Sequence, residues 1–375
     1  MKKMLLFEIT ILSIILMSCT FEPTNIVGES PEMSGLQSIQ TQVGMTFDLL
    51  DGVTAIDPED GNLTSSIVIR NLSELPLHQQ TLMFTGTYTI QYEVTDGDGN
   101  TVTYSRQLII SEQTTVCNDL IDGYTMTFCD DFLDADIPNA FGVDTSKWKF
   151  QIGDGTQYGI PGWGNNELQY YKEENAFVSN GLLNIEAKAE AAGGRFYTSA
   201  RLWTNGSFSQ KYGRFEARIK LPLGNGLWPA FWLLPQDEVY GGWAASGEID
   251  IMEARGRIPN EASGAIHFGG SWPNNTFVYK THTFDQNESI DQFHVYAIEW
   301  DETSIKWFFN DVNYYTVTDW YSENDPFPAP FDQRFYMLLN LAIGGVYDDN
   351  IVPSSSLFDE QVLMQVDYVR VFQKN

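Results

Sequence analysis

Residues 213–221, Gly213-Arg-Phe-Glu-Ala-Arg-Ile-Lys-Leu221, set Phe215, Ala217, Ile219 and Leu221 against Arg214, Glu216, Arg218 and Lys220. Successive side chains leave a strand on opposite faces, so strict alternation marks a β-strand with one buried face and one wet face. The same period returns in Gly181-Leu-Leu-Asn-Ile-Glu-Ala-Lys188 and in Val366-Asp-Tyr-Val-Arg-Val-Phe372. Few stretches after Cys117 hold a 3.6-residue period, and Gly, Asn and Asp recur between the alternating runs as turn formers. A segment of this length and pattern fits a large antiparallel sandwich better than an α/β fold.

Upstream the composition changes. All ten tryptophans lie at or after Trp148. Between about Ile39 and Ser111 the strands are short: Tyr88, Ile90, Tyr92 and Val94 alternate with polar residues, Asp96-Gly-Asp-Gly-Asn100 supplies a turn, and Thr101 to Ile110 resumes as a strand. The block from Gly52 to Thr103 resembles the immunoglobulin-like domains of bacterial surface proteins. A spacer is the reading favoured for it, and Asp57, Glu59 and Asp60 read as a polar turn rather than a calcium site. The segment 20–38, polar with Pro and Gly, reads as a linker. In residues 1–19, Lys2 and Lys3 precede an apolar run ending in Leu16-Met-Ser-Cys19. That is the pattern of a secretory signal, and Leu-Met-Ser-Cys resembles the bacterial lipobox, which makes Cys19 the expected site of lipidation. The expected location is the outer face of a bacterial membrane, with simple secretion as the alternative. The expected divisions are therefore a signal at 1–19, a linker at 20–38, an immunoglobulin-like domain at 39–112 and a catalytic domain at 117–375.

The chain carries 21 basic and 50 acidic side chains, a formal charge of −29. No basic stripe is available to displace counterions from a nucleic acid, so no nucleic-acid partner is expected. None of the four histidines, His78, His267, His282 and His294, opens an HExxH, and no CxxC occurs. In an exported chain Cys117 and Cys129, twelve apart, are expected to bridge; the alternative is two free buried thiols.

One strand carries acids. In Ser246-Gly-Glu-Ile-Asp-Ile-Met-Glu253, Glu248 and Asp250 share a face, whereas Glu253 falls on the opposite face of an unbroken strand. A β-bulge near Ile251-Met252 brings it back, placing three acids together. Trp228 and Trp232 in the preceding run, with Trp163, Trp243 and Trp272, offer aromatic faces on which sugar rings stack.

Residues 247–256 resemble the catalytic strand of glycoside hydrolase family 16 in its bulged form. The likeness extends over 117–375 through the segments at 162–171, 212–235, 264–273, 335–345 and 366–372, and the first two most resemble laminarinases. One departure is Trp243-Ala-Ala-Ser246, where related sequences commonly have Trp-Pro. The resemblance implies an all-β jelly-roll sandwich and a retaining endo-β-glucanase acting on β-1,3-glucan. It makes Glu248 the nucleophile, Glu253 the acid/base and Asp250 their electrostatic partner, with His267 on the next strand and Asn166 and Arg201 lining sugar subsites. No cofactor is implied for catalysis. A structural calcium ion is implied at the carboxylate of Asp367 and the backbone carbonyls of Asp131 and Gly181. Alternatives on the same fold are hydrolysis of mixed-linkage glucan or a red-algal galactan, and non-catalytic β-glucan binding. A monomer is expected.

Overall fold

The computed structural model describes residues 28–42, 48–78, 81–82, 84–111, 115–133 and 135–375. Cys19, with the signal and the first part of the linker, lies outside these residues. The chain divides into two compact units, one holding Asp48–Leu77 and Phe84–Ile110 and the other centred on Ser111–Asn375. Apart from short 3₁₀ turns, the regular elements among the described residues are β-strands.

In the first unit, strands Gly86–Thr95 and Thr101–Ser111 form a hairpin flanked by Ile39–Gln42 and Val68–Ile69. The alternation works as read, with Ile90, Tyr92 and Val94 buried. Asp57 caps its own turn, its Oδ1 accepting from the backbone N–H of Glu59 (2.9 Å) and Asp60 (2.7 Å). The linker is shorter than the sequence suggested. Glu32–Ser34 pairs antiparallel with Thr54–Ile56, and the single buried side chain Met33 holds it there. A three-residue strand with one apolar position has no readable period.

The second unit is a sandwich of two antiparallel sheets. One has seven strands, named here in chain order: β1 (Lys149–Phe150), β2 (Arg201–Trp203), β3 (Leu227–Pro235), β4 (Glu248–Glu253), β5 (Glu261–Gly269), β6 (Asn275–Thr283) and β7 (Phe335–Ile343). They lie side by side as β1-β2-β7-β3-β4-β5-β6. The other sheet has eight strands, with Val362–Lys374 pairing Gly213–Lys220, Leu182–Ala187 and Tyr124–Asp130. Phe215, Ala217 and Ile219 from the opening stretch meet Phe231, Ile249 and Leu339 of the seven-stranded sheet in one buried core. Such dry, close-packed contact between two sheets is what sets the inward residues and leaves the opposite face of β3, β4 and β5 free for a site. Cys117 and Cys129 form the expected disulfide, with Cα atoms 5.5 Å apart.

Candidate active site

Strand β4 owes its chemistry to one extra residue. Against β3 the register runs Leu233 to Ile249 and Trp232 to Asp250, then Phe231 to Met252 and Ala230 to Glu253. Ile251 is passed over, and both Ile251 and Met252 bury in the core. Two consecutive inward residues return Glu253 to the face of Asp250, as a bulge must. Glu248, two residues before Asp250, is on that face already.

The neighbours follow from the pairing. Across β5, Glu248 stands opposite His267, Asp250 opposite Ala265 and Glu253 opposite Ser263. His267 Nε2 lies 3.4 Å from Asp250 Oδ2 and 3.7 Å from Glu248 Oε1. The indole N–H of Trp243 donates to Glu248 Oε2 (2.9 Å), and that of Trp228 to Glu253 Oε1 (3.0 Å). Trp307, from the second sheet, donates to the backbone carbonyl of Asp250 (2.8 Å) and pins the strand from behind.

Crowding sets the protons. Burial and the charge of Asp250 push the Glu248 carboxyl up to about 7 and that of Glu253 up to about 8. Burial works against the His267 cation, but contact with Asp250 and the charges of Glu248, Asp250 and Glu253 outweigh it and lift the imidazole to about 9. Near neutral pH the ring is thus cationic, and the crowded carboxyls retain a shared proton. Glu248, Asp250 and His267 each offer a donor atom within 4.8 Å of the others, but the protonated ring is itself the cation of this cluster.

The other expected residues fare unevenly. Arg201, which the residues alone would make a surface charge, is buried. Its guanidinium lies 4.5 Å from the ring centre of Trp163 and 4.7 Å from that of Trp232, and its Nε donates to Gln151 (2.6 Å). Trp232 donates to Asn340 Oδ1 (2.7 Å), whose amide donates to Tyr171 OH (3.3 Å), which in turn donates to buried Glu167 (3.0 Å). Trp228 is buried and stacks on Tyr347, with ring centres 5.1 Å apart. Trp243 and Trp272 are exposed and linked by the Trp272 backbone N–H donating to the Trp243 carbonyl (2.8 Å). The Ala-Ala departure therefore leaves the Trp243 contact with Glu248 intact. Asn166 is an exposed turn residue with φ of 59°, its amide donating to Asn350 (3.3 Å). Sequence reasoning passed over Glu167, Tyr171 and Asn340; Glu167 and Tyr171 stand inside the quoted segment 162–171, where an acid three residues after a glycine was the available signal.

The expected calcium ligands converge only in backbone. Pairing with Val362–Lys374 passes from Leu183 opposite Val366 to Asp130 opposite Val369, so Gly181 and Asp131 both flank the gap beside Asp367. The carboxylate, however, accepts from Arg218 Nη1 at 2.6 Å. A guanidinium on the one expected anionic ligand does not fit a cation there. Arg370, three residues on, binds Glu216 and Asp119 instead.

The sandwich and the three acids gathered among indoles on its bulged strand have the fold and site of a glycoside hydrolase. The chain belongs to glycosyl hydrolases family 16, whose profile matches residues 164–345. The profile of the bacterial surface protein Ig-like domain matches residues 31–110. Among curated relatives, glucan endo-1,3-beta-glucosidase A1 of Niallia circulans is 43% identical over 271 residues, covering 68% of this chain and 38% of that protein. The beta-glucanase of Rhodothermus marinus is 41% identical over 240 residues, covering 61% and 80%. This chain thus spans well under half of the first relative and most of the second. The crystal structure of the laminarinase catalytic domain from Thermotoga maritima is similar at a TM-score of 0.58 and 34% identity, covering 68% of this chain and 100% of that one.

Proposed function

We propose that this chain is an endo-β-glucanase that cleaves β-1,3-glucan with retention of anomeric configuration. The observation that carries the proposal is the bulge at Ile251, which puts Glu248, Asp250 and Glu253 on one face. A retaining glycosidase needs one ionised carboxylate to attack the anomeric carbon and one protonated carboxyl to donate to the leaving oxygen. Glu248, bonded by Trp243 and beside the His267 cation, is the ionised partner and nucleophile. Glu253, its carboxyl raised by burial and by the charge of Asp250, is the acid in the first step and the base that activates water in the second. Asp250 sits between them in sequence and holds the charge that keeps Glu253 protonated. No organic cofactor or metal takes part in this scheme, and a structural calcium ion is not included because Arg218 already neutralises Asp367. The glucan preference draws on the Niallia, Rhodothermus and Thermotoga relatives. Arg201, Trp163 and Trp232 supply a stacked, buried edge for the sugar on the β3–β2 side.

We also propose that the protein is a monomer tethered outside a bacterial membrane through a lipid on Cys19. The reading rests on the lipobox-like sequence alone; substitution of Cys19 by Ala should move the protein from the membrane fraction to the soluble one. The catalytic proposal is tested by reducing-end release from laminarin, mixed-linkage glucan and agar-type galactan. Release is expected from β-1,3-glucan, and release from the galactan alone would overturn the substrate assignment. Binding without release would make the chain a lectin-like protein instead.

A further inference from the structure

Rows of directly opposed residues cross the seven-stranded sheet, and such residues share a face. One row runs Trp203, Leu338, Trp232, Asp250, Ala265 and Tyr279 through β2, β7, β3, β4, β5 and β6. The next contains Glu248, His267 and Phe277. Phe277 and Tyr279 therefore stand on the face of the acids, while Val278 between them packs against the core. β6 is the last strand of its sheet, and Phe277 and Tyr279 are 55% and 61% exposed. The rings stack on each other with centres 6.0 Å apart, and Phe277 stacks on His267 at 5.3 Å. Aromatic surface is thus continuous from the acid cluster to the sheet edge. Exposed aromatics along an open edge are a hazard unless something covers them.

We infer that Phe277 and Tyr279 form a stacking platform for glucosyl units of the β-glucan chain on the β5–β6 side of the acids. The inference rests on the function proposed above and extends it to a second arm of the binding cleft. Half-buried Trp232 stands in the same row on the opposite side of Asp250, so a chain laid along these rows meets a ring on each side of the acids. The electron-rich face of an aromatic ring attracts the polarised C–H groups of a sugar, while its edge leaves the hydroxyls in water. Ala265 between Asp250 and Tyr279 offers only a methyl group, so nothing bulky in that row separates the acid from the platform.

Wild type, Tyr279→Ala and the double variant F277L/Y279L would be compared on β-1,3-glucooligosaccharides of increasing length and on laminarin. Tyr279 is the cleaner position, since Phe277 rather than Tyr279 touches His267. The expected result is a loss of about tenfold in kcat/KM on long chains, carried by KM, that shrinks as the substrate shortens. Leucine keeps apolar bulk but removes the ring face, so the double variant should lose at least as much as Tyr279→Ala. Unchanged chain-length dependence in Tyr279→Ala, or wild-type behaviour of F277L/Y279L, would overturn the platform while leaving the cleavage assignment standing. Failure of the wild type to cut any β-1,3-glucan would overturn the function beneath it. A dimer seen by light scattering for wild type and lost in Tyr279→Ala would assign the ledge to a second copy of the chain and also overturn the platform.

Discussion

Trp243 reaches from the loop before β4 to donate its indole N–H to Glu248 Oε2 at 2.9 Å, although the ring itself is 41% exposed. A hydrogen bond to the charged form of a carboxylate favours that form. With His267 at 3.7 Å, the contact works against the burial that raises Glu248 to about 7. Replacing Trp243 by Phe keeps an aromatic face and deletes the donor. The acidic limb of the kcat/KM profile, set by ionisation of Glu248, should then move to higher pH by about half to one unit. The alkaline limb, set by Glu253, should stay in place. A profile displaced equally on both limbs would mean that the two carboxyls titrate as one unit and that Trp243 does not act on Glu248 alone.

The two glutamates should also be separable by chemistry. Glu248→Ala is expected to abolish turnover and to regain part of it with azide, which fits the vacated space and attacks the same carbon. Glu253→Ala should keep most activity on aryl glycosides, whose leaving groups need little protonation, and lose it on glucan. Product analysis of the azide reaction is decisive: a glycosyl azide of inverted configuration identifies Glu248 as the nucleophile, and undiminished laminarin cleavage by Glu248→Ala would remove it from that role.

How much of this was legible in the sequence depends on whether one residue or many carried the signal. The sandwich was readable because Phe215, Ala217 and Ile219 repeat one simple period, as do the runs at 181–188 and 366–372. The bulge was readable because three acids at spacings of two and three cannot share a face otherwise. The strand at Glu32–Ser34 was hidden, since a single apolar Met33 makes no pattern. The burial of Arg201 between Trp163 and Trp232 was equally hidden, because those residues are separated by long stretches of chain and meet only after the sheet forms. The contact of Arg218 with Asp367 was hidden in the same way, since it depends on a register shift between Arg218 and Ile219 that sets Arg218 opposite Tyr368 and leaves Asp367 in the gap.

The bulge itself can be tested by length. Deleting Ile251 removes the extra residue and leaves Glu248, Asp250 and Glu253 two apart in turn, so an unbroken strand keeps all three on one face without a bulge. Activity should persist in part and the melting temperature should fall, because the core loses one buried apolar side chain. Met252→Ala is the matched control. It keeps the register, costs about 2–5 kcal/mol of stability as a core truncation, and should retain activity below its lowered melting point. Loss of glucan cleavage by a deletion variant that folds as well as Met252→Ala would show that a shared face is not enough and that Glu253 needs the bulge itself.

The same proton balance makes stability fall toward alkaline pH. Glu248 and Glu253 rise from an ordinary 4.5 to about 7 and about 8 in the folded chain, so between those values the native state binds more protons than the unfolded one. Unfolding free energy decreases with pH wherever that holds. His267 acts in the same direction, since its pKa rises from 6.5 to about 9; its contribution is complete below 6.5 and is lost as pH passes through 9. The melting temperature should therefore decline across the window from about pH 4.5 to about pH 9. Glu248→Gln and Glu253→Gln remove the groups that must ionise against burial, so each should flatten the decline and raise the alkaline melting temperature above that of wild type. His267→Gln removes the cation that offsets the acids and should lower it instead. Differential scanning calorimetry at several pH values reads all three slopes, and glutamine variants whose midpoints track wild type throughout would show that the acid cluster carries no such strain.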